Sequence, residues 1–174
     1  GEQAEHIAYG STLSADGNAS RQFDFMLANP PYGKSWKTDA EKMGGKKDIL
    51  DSRFVAYLED GTQLSMIPRT SDGQLLFLLN NVSKMKTDTP LGSRIAEVHN
   101  ASSLFTGDAG SGESNARRFL FESDLVEAII ALPENMFYNT KLATYIWVLS
   151  NKKEPRRVGK VQLIDASSFK SPLK

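Results

Sequence analysis

Phe23-Asp24-Phe25-Met26-Leu27-Ala28-Asn29-Pro30-Pro31-Tyr32 is the stretch whose reading decides the fold of this chain. Residues 23–28 form a compact, mostly apolar run that two prolines stop. So short a run, apolar on both sides and ended so sharply, fits a strand of a parallel sheet covered on both faces. Asn29 to Tyr32 then stands just past the strand's carboxyl end, where open α/β sheets place their ligands. At average composition, Asn-Pro-Pro-aromatic arises by chance in about one chain in a thousand of this length.

Those four residue types suit one kind of chemistry. An aromatic amine such as adenine N6 is a poor nucleophile, because its lone pair is delocalised into the ring. Two acceptors aimed at its two hydrogens draw it toward a pyramidal geometry and free that lone pair. The Asn29 side-chain oxygen supplies one acceptor and the Pro30 carbonyl the other, with consecutive prolines stiffening the turn. Direct displacement at an activated methyl group then needs orientation more than a base. Tyr32 offers a flat face for a base that has left its stack, returning about 1–3 kcal/mol of the cost.

Outward from this elbow, residues 34–62 are charged and glycine-broken, with Lys34, Lys37, Lys42, Lys46, Lys47 and Arg53 among acids. Residues 34–74 are expected to be a long inserted loop, with a short helix over Ile49 to Leu58. Leu75, Leu76, Leu78, Leu79, Val82 and Met85 recur at helical spacing after the cap-like Ser71-Asp72-Gly73, and Lys84 and Lys86 close that helix. Arg94 to Val98 reads as a strand. The loop Gly107 to Ser114 follows, with Ser114 as cap of a helix over 115–123. Leu125–Leu132, Thr144–Leu149 and Val161–Ile164 read as further strands. The first two lie too close for a crossover helix and are expected to pair antiparallel. Upstream, Gly1 to Gln22 is polar and aperiodic, a loop or frayed start. The fold class is α/β: a mostly parallel sheet with a C-terminal antiparallel hairpin.

The chain has 174 residues, 40% hydrophobic and 24% charged, as expected of one globular domain. No cysteine is present, which excludes disulfides and thiolate metal sites. No apolar run approaches a membrane span and no leader opens the chain, so a cytoplasmic protein is expected. Its 21 basic and 21 acidic residues cancel, which counts against a module that grips DNA alone. His6 and His99 lack a metal-ligand pattern, so no metal is expected. Asp24, beside the elbow strand, is taken as structural.

The motif and its surroundings resemble the modification (methyltransferase) subunit of type I restriction–modification systems. The matching stretches are Phe23 to Tyr32, Arg69 to Met85, Arg94 to Phe105, Glu122 to Phe137, Thr144 to Ser150 and Val161 to Ser167. They follow the family's order and cover most of the chain. The resemblance implies part of a Rossmann-like sheet, its fourth to seventh strands, with the last one or two antiparallel. It implies S-adenosylmethionine as cofactor, adenine N6 in DNA as acceptor, and a specificity subunit and a restriction subunit as partners. Asn29, Pro30, Pro31 and Tyr32 become the catalytic residues, with Asn29 and Pro30 also bordering the cofactor. Phe137 becomes a second aromatic beside the flipped base, and Phe105 a core residue.

The family's glycine-rich turn and ribose-holding acid precede the Asn-Pro-Pro-Tyr strand, and only 22 residues precede it here. Gly107 to Gly112 follows the wrong strand to replace that turn. The resemblance therefore implies a single partial domain, inactive alone and weak for cofactor. Two other readings stay open at this point: an amino-methyltransferase acting on RNA guanine or protein glutamine, and a non-catalytic assembly or DNA-contacting module.

Overall fold

A computed structural model describes residues 7–58, 60–137 and 142–169. Five strands form the main sheet: β1 (Phe25–Ala28), β4 (Arg94–Asn100), β5 (Val126–Ala131), β6 (Thr144–Ser150) and β7 (Gln162–Asp165). Their spatial order is β1-β4-β6-β5-β7. β1 pairs parallel with β4 and β5 with β7, while β6 lies between β4 and β5 and runs antiparallel to both. The expected mostly parallel α/β sheet with its antiparallel hairpin is found. One detail is corrected: the last strand, β7, is parallel, and β6 alone is reversed. The connection from β5 to β6 is too short for a crossover helix, whereas β6 returns to β7 through a turn that includes a 3-10 segment at Pro155–Arg157.

Helices α2 (Gln74–Val82) and α4 (Gly112–Glu122), with the short α3 (Ser102–Phe105), cover one face of this sheet. Alternation along β4 sends Ile95, Glu97 and His99 toward them, where Leu75, Leu76, Leu78, Leu79, Leu120 and Trp147 close the core. The polar pair inside that core is partly satisfied: His99 Nε2 lies 2.8 Å from Glu97 and Asn81 Nδ2 donates to Glu97 at 2.7 Å, while His99 Nδ1 has no hydrogen-bond partner among the described residues. The opposite face bears Phe25 and Leu27, which are 72% and 85% exposed. The expectation that residues 23–28 are covered on both faces therefore fails, because among the described residues nothing packs over Phe25 and Leu27. Phe105, expected in the core, is exposed at the end of α3.

Segments expected to be irregular hold more structure than their composition suggests. Residues 34–74 contain α1 (Lys37–Lys42) and the hairpin of β2 (Val55–Tyr57) and β3 (Gln63–Ser65), so the helix expected over 49–58 gives way to a strand. Phe54 and Ile49 are buried there. α2 ends at Val82, before Lys84 and Lys86, whose ammonium groups pair with Asp16 and Asp24 rather than with helix carbonyls. α4 begins three residues earlier than expected, with Ser111 rather than Ser114 as cap; the Ser111 side chain accepts from Ser114 N–H at 3.3 Å.

The described part of the start is not frayed. Arg53 donates to the carbonyls of Thr12 and Leu13, both at 2.8 Å, and Leu13 is buried. Lys84, 5% exposed, pairs with Asp16 and donates to the Asn18 carbonyl. Burial alone raises the Asp16 carboxyl, but the Lys84 hydrogen bond, the Asn18 N–H and the charges of Lys84 and Arg53 outweigh it, leaving the carboxyl below its ordinary value. Asp51, similarly buried and bound by Arg53, is also lowered. A carboxyl lowered by folding stabilises the fold above its unfolded value, about 4, and that contribution is lost as pH falls through the folded value. Asp16→Asn is expected to flatten the fall in unfolding midpoint below about pH 4. Because the change leaves Lys84 buried without its counter-ion, it should also cost about 3 kcal/mol near neutrality. Urea unfolding followed across pH checks both.

Candidate functional site

β1 ends at Ala28, and Asn29 to Tyr32 projects from its carboxyl end. Asn29 is exposed, Pro30 buried, Pro31 exposed and Tyr32 half-buried. A polar side chain thus stands open to a ligand at a strand end, with one proline anchoring the turn behind it. Gly33 completes the turn at φ +66°, a conformation that side chains other than glycine's rarely adopt.

The elbow is fastened on its far side. Gly33 N–H donates to Asp72 Oδ1 at 3.3 Å. Trp36 N–H donates to the Thr70 carbonyl and its indole Nε1 to the Arg69 carbonyl, both at 2.9 Å. Trp36 is buried against Gly73, where an added Cβ would come within 3.0 Å of the indole. Residues 69–73 are therefore the floor on which the elbow's exit rests.

That floor is tied to β4. Gln74 N–H donates to Asp72 Oδ1 at 3.2 Å, and Gln74 Nε2 lies 2.7 Å from Asp72 Oδ2 and 2.8 Å from Asn100 Oδ1. Asn100 N–H returns a bond to Gln74 Oε1 at 3.1 Å, and Ser102 Oγ donates to Asp72 Oδ2 at 3.1 Å. Arg69 N–H donates to Glu113 Oε1, in the first turn of α4, at 3.0 Å. The cavity bounded by Arg69, Asp72, Gln74, Ser102 and Glu113 measures about 10 Å³, room for about one water, so no substrate enters it.

The residues singled out from the sequence are brought together unevenly. Asn29, Pro30, Pro31 and Tyr32 form one continuous turn. Phe137 is half-buried in the loop beyond β5, next to residues 138–141, which lie outside the described part. β1 and β5 are three places apart in the sheet, about 14 Å between strand axes, so the sheet itself does not set Phe137 beside Tyr32. Asp24 sits at the opposite end of β1 and pairs with Lys86 at 2.7 Å, a structural role. His99 is fully buried in the core, and His6 lies outside the described residues. Sequence reasoning missed Asp72, Gln74, Asn100 and Trp36. The available signal was the short polar run Ser71-Asp72-Gly73, read only as a helix cap, and the polar residues just past β4, which were given no role.

The residues present fit the acceptor side of a methyl transfer better than the cofactor side. Among the described residues no strand precedes β1, so none of the left-handed glycines forms a turn between a strand and a helix ahead of it.

Comparison with known proteins shows the family of the chain. The profile of the N-6 DNA Methylase family matches residues 1–172. The type I restriction enzyme MjaVIII methylase subunit of Methanocaldococcus jannaschii is 37% identical over 147 residues, covering 83% of this chain and 22% of that protein. The MjaIX methylase subunit of the same organism is 30% identical, covering 84% of this chain and 24% of its own length. The crystal structure of the type I restriction-modification system methyltransferase subunit from Streptococcus thermophilus superposes with a TM-score of 0.69 at 27% identity, over 94% of this chain and 30% of that one. The chain spans about a quarter of the length of the curated relatives it matches.

Proposed function

This chain belongs to the N-6 DNA methylase family, and on that premise we propose that it forms the acceptor half of an adenine-N6 methyltransferase site in a type I modification subunit. DNA is the substrate, S-adenosylmethionine the methyl donor, and a specificity subunit and a restriction subunit are the partners. The observation that carries the reading is the elbow: Asn29 exposed at the carboxyl end of β1, with Pro30 buried behind it.

In this reading the Asn29 side-chain oxygen and the Pro30 carbonyl accept the two hydrogens of the exocyclic amine. They draw the nitrogen toward a pyramidal geometry, and Tyr32 lies against the extruded base. Such acceptors favour the transition state over the ground state, because the amine becomes a stronger donor as its lone pair engages. S-adenosylmethionine supplies an activated methyl group, and its cradle is not found among the described residues. Phe137 closes over the base from the loop after β5, and its reach is set by residues 134–137 rather than by the sheet.

The balanced charge of the chain fits an enzyme whose grip on DNA comes from other subunits. The test is a transfer assay with labelled S-adenosylmethionine, using the complete enzyme that carries this chain and DNA, RNA and protein substrates in parallel. Label in DNA, recovered as N6-methyladenine after digestion, is expected. Label in RNA guanine or protein glutamine with none in DNA overturns the reading.

A further inference from the structure

Asp72 is an unusual carboxylate for its position. It is 8% exposed, yet every group bonded to it is neutral: Gly33 N–H, Gln74 N–H, Gln74 Nε2 and Ser102 Oγ. A buried carboxylate without a cationic partner is costly, and is kept only where its hydrogen bonds hold something in place. Its four donors come from three separate parts of the chain. Ser102 lies just past β4, Gln74 opens α2, and Gly33 ends the elbow. No other side chain among the described residues joins those three places.

We propose that Asp72 is the positioning residue of the elbow, setting the orientation of the Tyr32–Gly33 peptide and through it the backbone from which the Tyr32 side chain projects. The physical route is short. Gly33 N–H can meet Asp72 Oδ1 in only a narrow range of peptide orientations, because hydrogen bonds weaken steeply off line. That peptide contains the carbonyl of Tyr32, so fixing it fixes the ψ of Tyr32. Glycine at position 33 makes this turn easy to form and equally easy to lose, since it readily adopts other conformations once released. Trp36, bonded to the Arg69 carbonyl, secures the next turn but does not reach the peptide itself. Asp72 in turn is held by Gln74, whose amide is committed on both sides to Asp72 and Asn100. The carboxylate thus carries the position of the β4 end across to the end of β1.

The proposal rests on the elbow being the acceptor site, so the test separates the two. In the complete enzyme, Asp72→Ala and Asp72→Asn are compared with Asn29→Ala for kcat, KM for DNA, and hydrogen exchange of the segment 29–36. Asp72→Ala should raise exchange in that segment several-fold and lower kcat about 10- to 100-fold with little change in KM, as expected of an orienting group. Asp72→Asn keeps an oxygen for Gly33 but turns an N–H donor toward Gln74 Nε2, so it should fall between the wild type and Asp72→Ala on both readouts. If Asp72→Ala does not fold, the Asn variant carries the comparison. Unchanged exchange at 29–36 in either folded variant overturns the positioning role, whatever the activity. Raised exchange with unchanged kcat, while Asn29→Ala abolishes transfer, overturns it as well. Raised exchange with Asn29→Ala still active leaves Asp72 as the anchor of the turn and instead defeats the acceptor-site reading.

Discussion

Asn29→Ala in the complete enzyme should lower kcat for adenine methylation about 10²- to 10³-fold while leaving KM for DNA close to its original value. The size follows from what is removed. One preorganised hydrogen-bond partner of a group whose charge changes during reaction is worth about 3–4 kcal/mol of barrier. The pattern follows from when the bond matters. Adenine N6 is a modest donor in the ground state and a much stronger one as its nitrogen turns toward the methyl group, so the loss falls on kcat rather than on binding. Folding should be untouched, since Asn29 is exposed and follows the last residue of β1. A melting midpoint within about 1 °C of the original would separate lost chemistry from lost structure, since an exposed site typically moves stability by no more than about 0.5 kcal/mol. Transfer surviving within a few-fold would mean that the amine is activated by something else.

The second large effect is expected far from any ligand. Gly112, the first residue of α4, stands so close to the chain before the elbow's floor that an added Cβ would collide with the carbonyl oxygen and carbon of Ile67. Backbone, not the end of a flexible side chain, blocks the space. Gly112→Ala therefore forces α4 away from residues 67–68. That shift strains the Asn115 bond to the Ser65 carbonyl and the bond from Arg69 N–H to Glu113. The expected cost is about 3 kcal/mol, at the upper end for overpacking, or on the order of 10 °C in a thermal melt. Ser111→Ala, one residue earlier, removes only the cap and should cost about 1 kcal/mol. Equal effects from the two would mean that the close approach at Gly112 is tolerated. Because Arg69 also accepts the Trp36 indole, the glycine variant should loosen the elbow's exit as well.

The elements legible in the sequence were those whose signal is local. A compact apolar run ending in two prolines gives a strand and its stop, and leucines at helical spacing give α2, because each pattern is complete within a dozen residues. The short link between β5 and β6 gives their antiparallel pairing for the same reason. What escaped depends on partners distant in the chain. Arg53 looks like one charge in a polar stretch, yet it holds Thr12 and Leu13, about forty positions away, and so orders a start whose own composition suggests fraying. β2 and β3 are three residues each, too short for periodicity to show. Within the candidate site, the tetrapeptide was readable because the chemistry proposed for it needs those residue types in sequence. Its scaffold was not, because Asp72, Gln74 and Asn100 matter only through bonds to one another across the fold. Phe105 misled for the opposite reason: a large aromatic ordinarily argues for burial, but as the last residue of α3 it is exposed.

The elbow grows from the outermost strand, and beyond Phe23, whose N–H reaches Lys84, that strand has a single neighbour among the described residues. Among the described residues its outward amides and carbonyls have no strand partner. Any strand that docked there in the same direction would finish one rung, about 4.8 Å, from Asn29. Whatever turn it carried at its tip would then share a wall with the seat proposed for the amine. The same vacancy that makes this margin vulnerable to stray association is thus the shortest way of bringing a second reactant to face the first.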